Sequence, residues 1–216
     1  MKLTGAVLFA AALAAAGAGH AAGLGLRAGT TGLGADLGFG LTDSVSLRLG
    51  YAGLAVSRDF DEDDVRYDAK IRLSNLSALV DWRFWRQMRL TAGLVRAKNT
   101  ADLVGRPTAD TFTINDVEYD ADEIRRLRGE ARVGRDATPY LGIGYGDISR
   151  PGFSLFMDLG IMFHGSPSVE LSVSCGATAR CAELRRDVAR EERDLRDEVA
   201  KFKYYPVFNL GLAFGW

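Results

Sequence analysis

The 216-residue sequence predicts an all-β chain: a closed antiparallel barrel of eight strands that crosses a membrane, with a helical loop at one end. Three observations predict it. Behind an apolar leader, apolar and polar residues alternate in segment after segment, the period of a two-faced strand. The polar positions of those segments are rich in glycine, among 25 Gly against 5 Pro in the whole chain. The cramped interior of a small barrel needs such small residues, and a solvated sheet surface does not. Aromatic residues gather at segment ends, where membrane–water interfaces select them.

Composition narrows the classes. Hydrophobic residues are 47% and charged residues 25%, which excludes wholesale disorder. A net charge of −1 and a pI near 6.2 argue against nucleic acid as a partner. Two His and two Cys are too few for a four-ligand zinc site, and no metal or cofactor is expected. The mean hydropathy of −0.03 excludes a bundle of membrane helices but not a barrel, which hides its apolar residues in alternation.

The leader opens with Met1-Lys2, continues with an apolar run from Ala6 to Ala16 too short to span a bilayer, and ends in small residues. Residues 1–21 read as a signal peptide cleaved after Ala21, and 22–216 as the exported barrel. Losing Lys2 takes the net charge from −1 to −2. Export places Cys175 and Cys181, which enclose five residues, in an oxidising compartment where a disulfide is expected.

The strands follow in order. Leu24, Leu26 and Ala28 share one parity, and Leu33 to Leu41 take the other after a turn at Gly29-Thr30-Thr31-Gly32. Val45, Leu47, Leu49 and Tyr51 form the next apolar face. A long strand runs from about Val65 to Trp85, and its parity shift at Ser74-Asn75 reads as a bulge. Met88 to Leu94, Leu141 to Tyr145, Phe153 to Phe163 and Phe208 to Trp216 complete the eight. Short turns fall at 42–44, 86–87 and 147–152; long links fall at 57–64, 105–129 and 175–202. In the second long link, Thr111–Ile114 and Val117–Tyr119 flank Asn115-Asp116 as a small hairpin, and Asp120 with Glu123 reads as a capping box opening a short helix over Ile124 and Leu127. In the third, a helix is expected over about 182–203, inside an insertion of about 178–203, with a thin apolar stripe of Leu184, Val188, Leu195, Val199 and Phe202; a solvated helix resting on the barrel rim is favoured over a protein-partner or self-association helix.

If the apolar parity faces lipid, the lumen collects Arg27, Asp36, Arg48, Asp68, Lys70, Arg72, Asp81, Arg83, Arg89, Asp158, His164 and Asn209. Single buried charges cost several kcal/mol, so these are expected to pair across strands and plug the barrel. Phe39, Trp82, Phe84, Trp85, Tyr145, Phe153 and Trp216 map to the short-turn end as an interface girdle, with Tyr67, Tyr140, Tyr204 and Tyr205 toward the other. Asp59, Asp61, Glu62, Asp63 and Asp64 crowd one loop, where a solvated acidic tip is favoured over divalent-ion binding because EF-hand spacing fails. His164 and Ser166 lie two apart with Glu170 four further on, the ingredients of an activated serine, although Pro167 interrupts the strand.

The final segment, Phe208-Asn-Leu-Gly-Leu-Ala-Phe-Gly-Trp216, resembles the last strand of bacterial outer-membrane barrels. The exported chain resembles the small eight-stranded class that includes the outer-membrane protein A barrel, OmpW and the opacity proteins. Gly29-Thr-Thr-Gly-Leu-Gly34, Tyr67-Asp-Ala-Lys70, Pro139-Tyr-Leu-Gly-Ile-Gly144 and Phe202-Lys-Tyr-Tyr-Pro206 resemble, more narrowly, an uncharacterised proteobacterial family of such barrels. The resemblance implies a Gram-negative outer membrane, periplasmic termini, extracellular long links, contact with lipid bilayer and lipopolysaccharide, and insertion machinery that reads the C-terminal strand. The narrower resemblance brings a location and no activity; the chain itself is expected to have a binding or envelope-structure role without catalysis. The alternatives are a narrow channel for small or hydrophobic solutes, as in OmpW-like barrels, and a lipid A-modifying hydrolase using His164 and Ser166.

Overall fold

The computed structural model describes residues 21–62, 65–107, 111–114, 117–176 and 178–216; the leader up to residue 20, Asp63 and Asp64 of the acidic tip, and the Asn115-Asp116 turn lie outside them. Among the described residues the strands, in chain order, are β1 (Ala22–Gly29), β2 (Gly32–Gly40), β3 (Val45–Glu62), β4 (Val65–Trp85), β5 (Met88–Ala97), β6 (Asn99–Pro107), β7 (Thr111–Ile114), β8 (Val117–Asp120), β9 (Ile124–Val133), β10 (Thr138–Tyr145), β11 (Gly152–Met162), β12 (Ser168–Cys175) and β13 (Tyr205–Gly215), and the α-helix is α1 (Cys181–Val199).

Eleven strands join one sheet, in the order β12-β9-β6-β4-β3-β2-β1-β13-β11-β10-β5, and β4 also pairs with β5. That last pairing closes a ring through β1, β2, β3, β4, β5, β10, β11 and β13. The eight-stranded expectation therefore needs correcting. The ring is part of a larger sheet, and β6, β9 and β12 leave it together with the far halves of β3 and β4 as a platform.

The register shows why sequence reading missed the platform. From Val45↔Trp82 to Glu62↔Val65 the β3–β4 pairing never slips, so the bulge expected at Ser74-Asn75 is absent; the irregularity in β4 lies at Arg83/Trp85. With residues two apart on one face, the face bearing Leu76, Val80 and Trp82 in the ring bears Arg72, Lys70 and Asp68 beyond it. The opposite face changes from Asn75, Ser77 and Asp81 to Leu73, Ile71 and Tyr67. The change of parity is an inversion of polarity on an unbroken strand. The stretch 57–64, expected as a link, is mostly the end of β3.

The inversion recurs at the same level on both neighbours. Tyr51, the last large apolar outward residue of β3, pairs with Leu76. β6 continues β5 in the same register against β4, from Asn75↔Ala97 to Arg72↔Thr100. Along that continuous strand the outward face passes from Leu90, Ala92 and Leu94 to Arg96, Thr100 and Asp102. At Lys98, whose N–H donates to the Ser74 carbonyl at 2.8 Å, the second partner changes from β10 to β9 and the sheet leaves the ring.

The platform has its own core. Ile114, Tyr119, Ile124, Leu184 and Val188 are buried together, with Leu127, Leu171 and Val173 against them. These β9 and β12 residues lie on the face that continues the lumenal parity, so α1 and the β7–β8 hairpin sit on that side. The expected hairpin forms, from Thr111↔Asp120 to Ile114↔Val117. Glu123 reaches back to the Asp120 N–H at 3.1 Å, as a capping box does, but only a 3₁₀ turn over Ala121–Glu123 follows. Ile124 and Leu127 enter strand β9 instead, because Cys175 and Val173 of β12 pair with them. Helix α1 ends at Val199, short of the expected 203, and Leu184 and Val188 of its stripe are used within the platform. A Cys175–Cys181 disulfide ties β12 to the start of α1.

Candidate functional site

The ring interior holds a layer of paired charges. Arg48 of β3 donates twice to Asp158 of β11, at 2.7 and 3.0 Å, and its Nε lies 3.0 Å from Asp81 of β4. Arg89 of β5 donates to Asp158 at 2.6 Å and lies 3.3 Å from Asp81. Thr91 donates to Asp81, and Arg89 also reaches the carbonyls of Tyr145 and Gly146. Two guanidiniums and two carboxylates thus link four strands with shared, charge-assisted bonds. A second pair, Arg27 and Asp36, meets at 2.9 Å. The Asn209 amide joins it, its oxygen accepting from Arg27 at 3.1 Å and its nitrogen donating to Thr31 at 2.9 Å.

Of the residues assigned to the lumen from sequence, Arg27, Asp36, Arg48, Asp81, Arg89, Asp158, His164 and Asn209 are buried. Arg83 is half-buried at the short-turn rim, where it donates to Asp147 at 2.6 Å. Asp68, Lys70 and Arg72 are corrected: they lie beyond the ring, on the outer face of the platform, because the polarity inverts below them. The lumen also holds residues that the sequence reading did not place there. Leu79, Val95, Tyr140, Met162 and Val207 form an apolar layer, and Phe156 is fully buried near Ile148 and Ala213. Parity alone would have found them, since Phe156 and Met162 alternate in step with Asp158, and Val207 with Asn209; a search limited to polar residues did not.

The lumenal glycines make room for these large groups. A Cβ on Gly50 would meet the Asp36 carboxylate at 1.8 Å, and one on Gly211 the Phe156 ring at 2.4 Å. Gly142 and Gly160 both face the Tyr140 hydroxyl, and a Cβ on Gly144 would meet the Arg89 guanidinium at 2.7 Å. Between the charged and apolar layers the interior leaves about 20 Å³, bordered by Arg27, Asn75, Tyr140 and Asn209, room for roughly one water.

Outside, the ring is apolar. Leu26, Leu33, Leu155, Leu159, Leu210 and Leu212 are all exposed. Trp82, Phe84, Trp85, Tyr145, Phe153 and Trp216 stand exposed toward the short-turn end, while Phe39 is half-buried there. Phe153 is 87% exposed and packs against Phe214 at 4.9 Å. The second girdle differs from expectation. Tyr140 and Tyr205 turn into the lumen, and Tyr67 stacks on Phe60 above the inversion. Tyr204, paired edge-on with Phe163 at 5.6 Å, is exposed as a girdle member would be, and Tyr51 joins it.

The His164, Ser166 and Glu170 constellation is dispersed. His164 is buried against the Tyr205 ring, and burial pulls its pKa below the ordinary value. The Ser166 hydroxyl donates to the Ala200 carbonyl at 3.3 Å, and Glu170 lies 3.7 Å from Arg132 across the β9–β12 pair. On the platform, Tyr119 donates to Asp187 of α1 at 2.5 Å; burial and that carboxylate push the phenol up to about 12. Glu123 is held below its ordinary range, chiefly by the Thr178 hydroxyl, then by the Asp120 N–H and Arg180.

No family model matches this chain, and a search of curated proteins finds no match. Solved structures do match. CarO of Acinetobacter baumannii is 27% identical, with a TM-score of 0.62 over 90% of this chain and 97% of that one. This chain folds like CarO. CarO2 of the same organism shares the fold at 23% identity and a TM-score of 0.62, covering 90% of this chain and 98% of that one. These neighbours are bacterial outer-membrane barrel proteins, and the likeness to CarO supports an outer-membrane location.

Proposed function

We propose that this chain is an outer-membrane barrel whose ring is a plugged anchor and whose platform is an extracellular binding surface. One observation carries the reading: a closed ring of strands that is apolar outside and charge-paired inside, the reverse of a soluble sheet protein. Along β11, the outward residues from Phe153 to Phe163 cover roughly 33 Å of strand, or about 25 Å of height at the usual tilt. That height matches the apolar band of a membrane barrel. The short-turn end, with Trp85, Tyr145 and Trp216, faces the periplasm, and the platform stands outside the cell. The lumen is a wedge of ion pairs and aromatic side chains that fixes register and excludes flow.

The test has two arms. The folded protein in detergent is run on a gel with and without boiling, and a mobility shift that requires boiling supports the barrel. The same protein in a planar bilayer is expected to pass no steady current. Sustained single-channel conductance overturns the plugged lumen and returns the narrow channel as the better reading.

A further inference from the structure

The polarity inversion gives the outer face of the platform a definite neighbour. It is the same face of β4 and of β5–β6 that meets lipid in the ring, carried past the membrane boundary on unbroken strands. Arg72 lies four residues beyond Leu76, roughly 13 Å along the strand. There the sheet forms a groove of about 340 Å³ lined by Lys70, Arg72, Arg106, Arg126 and Arg128. Two carboxylates share it, Asp68 and Asp102. They lie at the long distances of 3.8 Å from Arg106 and 3.5 Å from Arg72, in half-exposed pairs that contribute little to stability. Lys70, Arg126 and Arg128 make no ion pair among the described residues, and Glu130, close to Arg128, already accepts from Arg132 at 2.6 Å. Five cations from three adjacent strands therefore face one groove without enough counter-charge.

We propose that this groove binds the phosphate-bearing headgroup of a lipid in the adjoining leaflet. Guanidinium forks match phosphate oxygens two by two, and arginine gives up less hydration than lysine in doing so. The apolar belt directly below, on the same face, leaves a lipid's acyl chains in membrane while its headgroup rises into the groove. A soluble anion would gain nothing from that continuity. The proposal rests on the membrane orientation given above, and the experiment separates the two.

The detergent-solubilised, folded protein is examined by native mass spectrometry with three probes: bisphosphorylated lipid A, the same lipid with its phosphates removed, and inorganic pyrophosphate. The variants are Lys70→Gln/Arg126→Gln/Arg128→Gln in the groove and Arg185→Gln/Arg186→Gln/Arg193→Gln on the exposed side of α1, which removes the same charge elsewhere. The native protein is expected to retain bisphosphorylated lipid A at least tenfold better than the dephosphorylated form. The groove variant is expected to lose that preference, and the helix variant to keep it. Equal retention of both lipids, or undiminished retention by the groove variant, overturns the headgroup site. Pyrophosphate binding as tight as the lipid overturns the lipid source in favour of a free anion. A boiling-dependent gel shift in every variant shows that the barrel stands whatever the groove does.

Discussion

The ring and the platform share β3, β4 and the line of chain that runs from β5 into β6, and they obey opposite rules. In the ring, the outward face of β4 is Leu76, Val80 and Trp82 and the inward face is Asn75, Ser77 and Asp81. A few residues on, the same two faces carry Lys70 and Arg72 on the outer side and Ile71, itself exposed, and half-buried Leu73 on the side that continues the lumenal face. The backbone does not change; the solvent does. Where lipid is the outer solvent, polar groups hide in the lumen and pair. Where water returns, apolar residues gather under α1 and charge moves out. The stored interactions differ accordingly: a charged wedge in one region, an ordinary hydrophobic core in the other.

The largest effect should follow from breaking the wedge. Arg48→Ala leaves Asp158 and Asp81 short of a shared partner in the ring, and removing one side of a buried pair costs about 3–5 kcal/mol. The boiling-dependent gel shift is expected to disappear or to occur tens of degrees lower. A conservative Arg48→Lys change should rescue it only in part, because lysine lacks the fork that spans both carboxylates.

The comparison itself is tested by one substitution made on each side of the boundary. Val80→Arg places a cation on the apolar belt and should cost about 2–4 kcal/mol in a denaturant titration from lipid vesicles. Val104→Arg, on the same sheet face but lining the basic groove, adds only like-charge repulsion and should cost about 1 kcal/mol or less. Equal costs would mean that the lipid boundary does not lie where the polarity inverts.

Leu184 is fully buried in the platform core, and Leu184→Ala should cost about 2–5 kcal/mol there. Limited proteolysis is expected to cut between β7 and α1 while the gel shift of the ring persists. Loss of both together would make the platform and the ring one cooperative unit.

The smallest effect is one of pH. Glu123 has a lowered native pKa, so its stabilisation is present above the ordinary value near 4.5 and is lost as pH falls through the lower native value. Hydrogen exchange should therefore rise at β7, β8 and the start of α1 in acid before it rises in the ring. Glu123→Gln should flatten that acid response.

What could be read from the sequence divides along the same line. The strand parities, the short turns at 42–44 and 86–87, the Cys175–Cys181 bridge and the hairpin around residues 111–120 were all legible, because each depends on local pattern or on chemistry fixed by neighbours in the chain. The platform was not. Its strands β6, β9 and β12 are paired by contacts far apart in sequence, and the inversion at Ser74-Asn75 looks the same as a one-residue bulge when only parity is visible. Asp68, Lys70 and Arg72 were misplaced for that reason. Ile124 and Leu127 read as helical because the Asp120–Glu123 cap is real, but β12 outbids the helix for their backbone groups.

An unslipped strand is also a mechanical element. β4 runs 21 residues from the rim at Trp85 to the tip at Val65, roughly 65–70 Å of continuous backbone, and β3 runs beside it in one register. A pull on the platform is therefore borne lengthwise by the strands that wall the barrel, with no joint at the membrane surface to absorb it. In the orientation proposed above, the platform is a cantilever clamped in the bilayer, and whatever grips it grips the anchor as well.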